Sequence, residues 1–400
     1  MNAKLIAMAA AAAAAATSAQ AADLPTAAEP IDYVQACDAF GAGFFKLPGK
    51  DTCIKLGGRI RVNVESEDLQ DSSDDVSDYE YYTKGYLYFT SMTDTEIGLI
   101  KTYTEFTAKF DSEGGEKVEA GDTYIQFSLG SADLSFGKMG DVFAGFTGYA
   151  EMGVAKRHWA DDGSLQVRLA APLGNGLTAT AALIDSNSHD GADGKVDFNG
   201  ALELKQGWGK VKVSGAAHQN AYDETGYAVN GNAEFKLDPI TIGFGGQYAK
   251  DAHKYAGVGF KNDYVLGVIE GEDITVDFNN IESTVYSVGG GIKFAATDEI
   301  TLAVDGSYMS FEGTADFDYK VGENDALSIK DVDVDVDAFG LDGSIAYAPV
   351  DGLVLAVDAG WDRTEMTATK TVEDEGGNKK VKVSSDDDNF KVGARVQYTF

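Results

Sequence analysis

The residues able to do covalent chemistry are few. The chain has four histidines, His158, His189, His218 and His253, and two cysteines, Cys37 and Cys53. A hydrolase needs a histidine beside an activated nucleophile, and no G-x-S-x-G elbow stands near any of the four. His189 lies in "SNSHD", a loop by composition. Two cysteines alone do not make a zinc site. "KDVDVDVDAFG" spaces carboxylates like a calcium loop, but lacks the glycine at the sixth position and the glutamate at the twelfth. It reads better as a strand with its Asp residues in water. No enzymatic activity, metal or cofactor is therefore expected. What remains is charge: 65 Asp and Glu against 32 Lys and Arg, a formal net charge of −33. Such a chain is no nucleic-acid binder, because phosphate needs clustered Lys and Arg.

The elements that position these charges are strands. Gly (47) and aromatics are abundant and Pro (6) is scarce, which suits extensive strand pairing. In "CIKLGGRIRVNV", Ile54, Leu56, Ile60, Val62 and Val64 share one face, and Lys55, Arg59, Arg61 and Asn63 the other. The same period of two recurs in "KGYLYFTS", "LIKTYTEFTAKF", "DTYIQFSLG", "ADLSFGK" and onward to the final "NFKVGARVQYTF". Sixteen such segments can be read. Their connectors alternate: seven short ones such as "APLGNG" and "LDP", and eight long ones, among them 65–80, 138–163, 250–283, 311–335 and 363–388. In an up-and-down meander this puts all turns at one end and all loops at the other. That is the anatomy of an all-β, 16-stranded antiparallel transmembrane β-barrel. Closure pairs every backbone group in lipid, and sixteen strands leave a wet lumen. A soluble sandwich has no comparable reason to sort its loops by length.

Two charged sets then face water inside. Lys55, Arg59, Arg61, Lys101, Lys109, Arg168, Lys212, Lys391 and Arg395 fall on the polar phase of their strands. The first and last strands close the barrel, so Arg59, Arg61, Lys391 and Arg395 are expected to form a basic stripe on the lumen wall. The second set lies in Gly137–Gly163, "GKMGDVFAGFTGYAEMGVAKRHWADDG". Its Phe143, Phe146, Tyr149, Met152, Val154 and Trp159 are too apolar for an exposed loop. The loop is expected to fold inward as a constriction, presenting Asp141, Glu151, Lys156, Arg157, Asp161 and Asp162 to the opening. Packing outside against a neighbouring subunit is the alternative. Opposed charges across a narrow passage filter solutes. Residues 65–80 hold eight carboxylates and no Lys or Arg, so the mouth should be negative and should concentrate cations. Such clusters also suit divalent ions beside anionic lipopolysaccharide.

The ends of the chain add an address and a staple. Residues 1–21, with Lys4, an Ala-rich apolar run and Ala19-Gln20-Ala21, read as a secretory signal peptide. Cys37 and Cys53 then reach a disulfide-permitting compartment and form one local bridge, of about 3 kcal/mol in the entropy model. Residues 22–52 become a segment tied onto the first strand, and 53–400 the barrel.

The segment "EPIDYVQACDAFGAGFFKLPGKDTCIKLGGRIRVNV" resembles the mature N-terminus of the trimeric general porins of alphaproteobacteria, of the rhizobial and Brucella type. "GDTYIQF" running into "LSFGKMGDVFAGFTGYA" is similar to that family's approach to its constriction loop, and the aromatic terminal strand is shared with many outer-membrane barrels. The resemblance implies a homotrimer in the bacterial outer membrane, among lipid and lipopolysaccharide. It implies passive diffusion of small hydrophilic solutes, with Gly140–Asp162 as the inward third loop. It also implies that Tyr398 and Phe400 are read by the barrel assembly machinery. The ion preference expected from the acidic mouth is for cations. A solute-specific channel for sugars or dicarboxylates is the alternative, kept open by Tyr82, Tyr86, Tyr88 and Tyr103 on the wet phase. A plugged, adhesive barrel is a further one.

Overall fold

A computed structural model describes residues 35–47, 49–69, 79–112, 114–155, 163–191, 193–220, 224–258, 264–269, 272–321, 328–374 and 377–400. The expected signal peptide, residues 1–21, and residues 22–34 lie outside the described residues. The strands of the barrel are β1 (Cys53–Ser66), β2 (Tyr79–Thr95), β3 (Gly98–Asp111), β4 (Glu116–Ser128), β5 (Asp133–Gly140), β6 (Gly163–Gly174), β7 (Leu177–Asp185) and β8 (Val196–Gln206). They continue as β9 (Gly209–Gln219), β10 (Thr225–Leu237), β11 (Ile240–Lys250), β12 (Glu272–Ala295), β13 (Ile300–Val321), β14 (Ser328–Tyr347), β15 (Leu353–Asp374) and β16 (Gly377–Thr399). Each pairs antiparallel with the next, and β16 returns to β1 from Gly393↔Glu65 to Thr399↔Arg59. The sheet is closed, so these sixteen strands have no free edge in lipid.

Period two decides which side each residue faces. Leu56, Leu202, Val213, Phe244, Leu341 and Val357 stay exposed on the outer surface, which in a soluble protein would be a liability. Aromatics band that surface at both ends. Trp208–Phe235, Phe235–Phe244 and Tyr398–Phe400 ring contacts lie toward the turns. Tyr227–Tyr248, Tyr286–Tyr308 and Tyr308–Phe339 lie toward the loops. These are the girdles of a membrane barrel. The seam ends on a close fit. Phe400 exchanges both backbone bonds with Gly58 at 2.9 Å, and a Cβ on Gly58 would lie 2.4 Å from the Phe400 ring.

The wall is uneven in height. β5 and β7 have eight and nine residues, whereas β12–β16 have 20 to 24. This corrects the expected loops at 250–283, 311–335 and 363–388, which are largely strand. "VDVDVD" keeps the period of two and so extends the ladder: Val332 and Val334 are buried inside, Asp333 and Asp335 exposed outside. The inner valines pack on an unforeseen element. Residues 251–258 fold into the barrel as a short 3-10 turn (His253–Ala256), with Tyr255 fully buried. Tyr255, Phe143, Ala216, Ala228, Ala249, Val285, Phe311 and Val334 form an apolar core inside the barrel.

At the turn end, a short strand Phe45–Lys46 pairs with β1, and Gln35–Ala36 pairs with Phe45–Lys46. The expected Cys37–Cys53 disulfide is present and packs with Phe44, Phe40 and Met92.

Candidate functional site

The loop between β5 and β6 runs inward and lies along the inner wall from β6 round to β16. Its path is fixed mainly by its backbone. Phe143 O accepts from Ser214 Oγ (2.9 Å) and Asn230 Nδ2 (3.0 Å), and Ala144 O from Lys212 Nζ (2.6 Å). The amides of Tyr149 and Ala150 both donate to Asp305 Oδ2, at 2.8 and 2.7 Å. Those of Met152 and Gly153 donate to Asp358 Oδ2 (2.7 and 3.2 Å), and that of Ala155 to Asp342 Oδ1 (3.1 Å). Bonds to ionised acceptors are the strong kind. They also balance the cross-strand carboxylate pair Asp305↔Asp342. The apolar side chains then pack on the wall. Phe143 meets Tyr255 edge-on at 5.2 Å, and Phe146 and Tyr149 cover Gly243, where a Cβ would lie 2.5 Å from the Phe146 ring.

The loop root is held by a buried polar node. Asp141 accepts from the Phe143 amide (2.8 Å) and Asn199 Nδ2 (2.8 Å), and its Oδ2 lies 2.7 Å from His189 Nε2. His189 stacks on Tyr255 at 3.9 Å. Asp197 accepts from Ser186 Oγ (2.7 Å) and Tyr255 OH (2.8 Å) and pairs with His218 Nδ1 (2.9 Å). Burial, then Asp197 and Asp141, push the Tyr255 phenol upward. Burial pushes His253 down to about 4, reinforced by His218 and Lys254 and opposed by Asp251. His189 and His218 brace the loop root, and His253 Nδ1 lies 3.4 Å from Ser283 Oγ of β12.

The expected charged residues therefore separate. Asp141 is buried in the node and does not face the opening, because its oxygens are taken by the loop's own turn and the wall. Glu151 is exposed in the lumen. Lys156, Arg157, Asp161 and Asp162 lie outside the described residues. The continuous basic stripe is also corrected. Arg395 is 5% exposed, donating from Nε to Asn63 Oδ1 (3.0 Å) and from Nη1 to the Glu151 carbonyl. Arg168 likewise donates to the Gly140 carbonyl. Both clamp the loop. Lys55 reaches Ala42 O at 3.1 Å, in the segment before β1. Lys391 lines a 590 Å³ vestibule with Asp362, Asp387 and Asn389.

Arg59, Arg61 and Lys101 remain on the inner faces of β1–β3, the wall that the described loop residues leave uncovered. Arg61 Nε donates to Gln397 Oε1 (3.0 Å), and the Arg59 guanidinium lies 3.8 Å over the Tyr86 ring. The tyrosines gather on the same wall. Tyr86–Tyr88, Tyr88–Tyr103 and Tyr103–Tyr124 have ring centroids 6.3, 6.5 and 5.5 Å apart. Tyr124 then borders a 450 Å³ recess with Asp122, Gln126, Arg168 and Lys212.

Sequence reasoning missed Asp305, Asp342 and Asp358. "AVDGSY", "GLDGSI" and "AVDAGW" place an apolar-Asp-small pattern on the wet phase of three successive strands, and this repetition was the available signal.

The comparisons agree with this architecture. The porin subfamily profile matches residues 23–394. The chain is 28% identical over 339 residues to porin Omp2b of Brucella neotomae, covering 79% of this chain and 87% of that one, and 27% identical with the same coverage to porin Omp2b of Brucella suis. Among solved structures it is similar in fold to OmpT of Vibrio cholerae in its loop L8 deletion form (TM-score 0.53, 12% identity, 88% of this chain and 100% of that one). OmpT in a trimer form gives a TM-score of 0.51 at 11% identity, with 88% and 100% coverage. An anion-selective porin from Comamonas acidovorans gives 0.50 at 12%, with 87% and 100%. A closed lipid-facing barrel with a wet lumen and a loop clamped inside it is the architecture of a channel, and the chain belongs to the porin subfamily, channels and not enzymes, of the bacterial outer membrane.

Proposed function

We propose that the protein mediates passive diffusion of small hydrophilic solutes and ions, with cations preferred. The carrying observation is the one-sided placement of the described loop residues, whose backbone is held on the β6–β16 wall and which leave β1–β4 facing open lumen. Solutes pass between Glu151 on one side and Arg59, Arg61 and Lys101 on the other. The cation preference rests on the acidic excess of the chain and on carboxylates such as Asp362 and Asp387 in the vestibule.

The unit we propose is a homotrimer, in keeping with the trimer form of the OmpT neighbour. Lipid and lipopolysaccharide contact the outer face. Tyr398 and Phe400 serve as the strand read by the barrel assembly machinery.

Planar-bilayer recordings on purified protein test this reading. Stepwise conductance is expected, with a reversal potential in a KCl gradient on the cation side. No conductance rejects the channel; an anion-side potential rejects only the preference. A second reading, a solute-specific channel, is favoured by the tyrosines of β2–β4.

A further inference from the structure

The tyrosines of the uncovered wall form one continuous surface. Tyr86 and Tyr88 on β2, Tyr103 on β3 and Tyr124 on β4 share the lumen phase, with adjacent rings in contact at 5.5 to 6.5 Å. Tyr88 and Tyr103 are nearly parallel, at 18°. Each residue is half-buried, so part of each ring stays accessible from the lumen. A wall that only conducts ions needs water-ordering polar groups, and ring faces are poor ones. Ring faces instead complement the C–H faces of pyranose sugars, which are apolar while their rims carry hydroxyls.

The rims also find partners. Arg59 caps the track by lying on Tyr86, so its guanidinium donors stand at one end. Glu105 sits beside Tyr88 and Tyr103, with Oε2 3.5 Å from the Tyr103 hydroxyl. Lys101 Nζ lies 5.5 Å from the Tyr124 ring. At the other end Tyr124 opens into the 450 Å³ recess, where Asp122 and Gln126 offer acceptors and Arg168 and Lys212 donors. That volume lies in the range of small-molecule sites. Donors and acceptors alternate along the track, which suits neutral hydroxyls better than a fixed charge.

We propose that Tyr88, Tyr103 and Tyr124, ending in the recess beside Arg168, form a binding track for short neutral oligosaccharides. This deepens the diffusion reading and rests on it: the track would hold sugars transiently on their way through the same passage.

The test uses gluco-oligosaccharides of one to four units added to the reconstituted channel, with polyethylene glycol of matched size as control. Saturable block of ion current is expected, with the half-blocking concentration falling as units are added. Tyr88→Ala, Tyr103→Ala and Tyr124→Ala should each raise it at least fivefold, and Tyr→Phe at the same positions by less than threefold. Conductance in KCl should stay within a factor of two of the parent. Titration calorimetry in detergent runs in parallel. Conductance without saturable block or calorimetric binding overturns the track and leaves the diffusion reading standing. Binding without conductance overturns diffusion and leaves the track. Block equal to that by polyethylene glycol, and unchanged in the alanine variants, also overturns the track.

Discussion

The guanidinium of Arg395, on the strand that closes the barrel, donates to the main-chain carbonyl of Glu151 in the middle of the inward loop. The seam of the barrel and the narrowing of its lumen are thus one structure. A residue expected to filter solutes instead holds the inward loop in place.

Arg395→Ala should free the Glu151 segment and take from Asn63 Oδ1 its Arg395 donor. A buried bond to a charged group contributes about 1.5–3 kcal/mol, so thermal unfolding in detergent should fall accordingly. Open-channel noise should rise. An unchanged noise spectrum would mean that the loop does not need this clamp.

The loop's amides give a sharper test. Asp305 accepts from both Tyr149 and Ala150. Asp305→Ala should remove about 3 kcal/mol, as two charge-assisted bonds disappear. Hydrogen exchange should quicken at residues 149 and 150 before the strands are affected. Asp305→Asn, which keeps an acceptor, should fall between the two. Protection identical to the parent in the alanine variant would refute the assignment.

Arg59 and Arg61 face the open wall and do not hold the loop. Charge reversal, Arg59→Glu or Arg61→Glu, should move the reversal potential toward cations by several millivolts in a tenfold gradient. Thermal unfolding should change by less than about 1 kcal/mol, since partly exposed charges contribute little to stability. A large loss of stability with no change in potential would reverse the roles assigned to these arginines and Arg395.

Acid should act through His253. Its folded-state value is depressed to about 4 by burial, against 6.5 for the free side chain. The unfolded chain then binds the proton first, so stability is full above about 6.5 and falls as pH drops toward about 4. Unfolding temperatures at pH 7.5, 5.5 and 4.5 should show this loss, and His253→Gln should flatten it. A pH profile that the substitution leaves untouched would point to other groups, such as the carboxylates of the loop clamp.

At the seam, Gly58→Val should displace the Phe400 ring, which a Cβ would meet at 2.4 Å. Phe400→Ala should slow barrel assembly, read as the heat-modifiable fraction on gels, with normal conductance from the channels that insert. Equal assembly of parent and Phe400→Ala would remove Phe400 from the assembly signal.

The strand plan was legible because alternation is a local property. A face either meets lipid or meets water, and Ile60 beside Arg61 records that choice residue by residue. The inward loop was legible for the same reason, since Phe143, Phe146 and Tyr149 have no place in solvent. The role of each charge was not legible. Arg59 and Arg395 have the same type and phase, yet one faces the lumen and the other is buried under the loop. The "VDVDVD" run shows the limit from the other side. Its period identified a strand, but not that Val332 and Val334 would face inward onto Tyr255.

By itself, the sequence determined the sixteen strands, their lipid and lumen faces, the disulfide and the loop that must turn inward, because each follows from patterns a few residues long. Only the tertiary structure decided which half of the wall the loop covers. That choice depends on Asp305, Asp342, Asp358, Arg168 and Arg395 converging from distant strands on main-chain groups, which carry no mark in the sequence. The same choice left the tyrosines of β2–β4 uncovered.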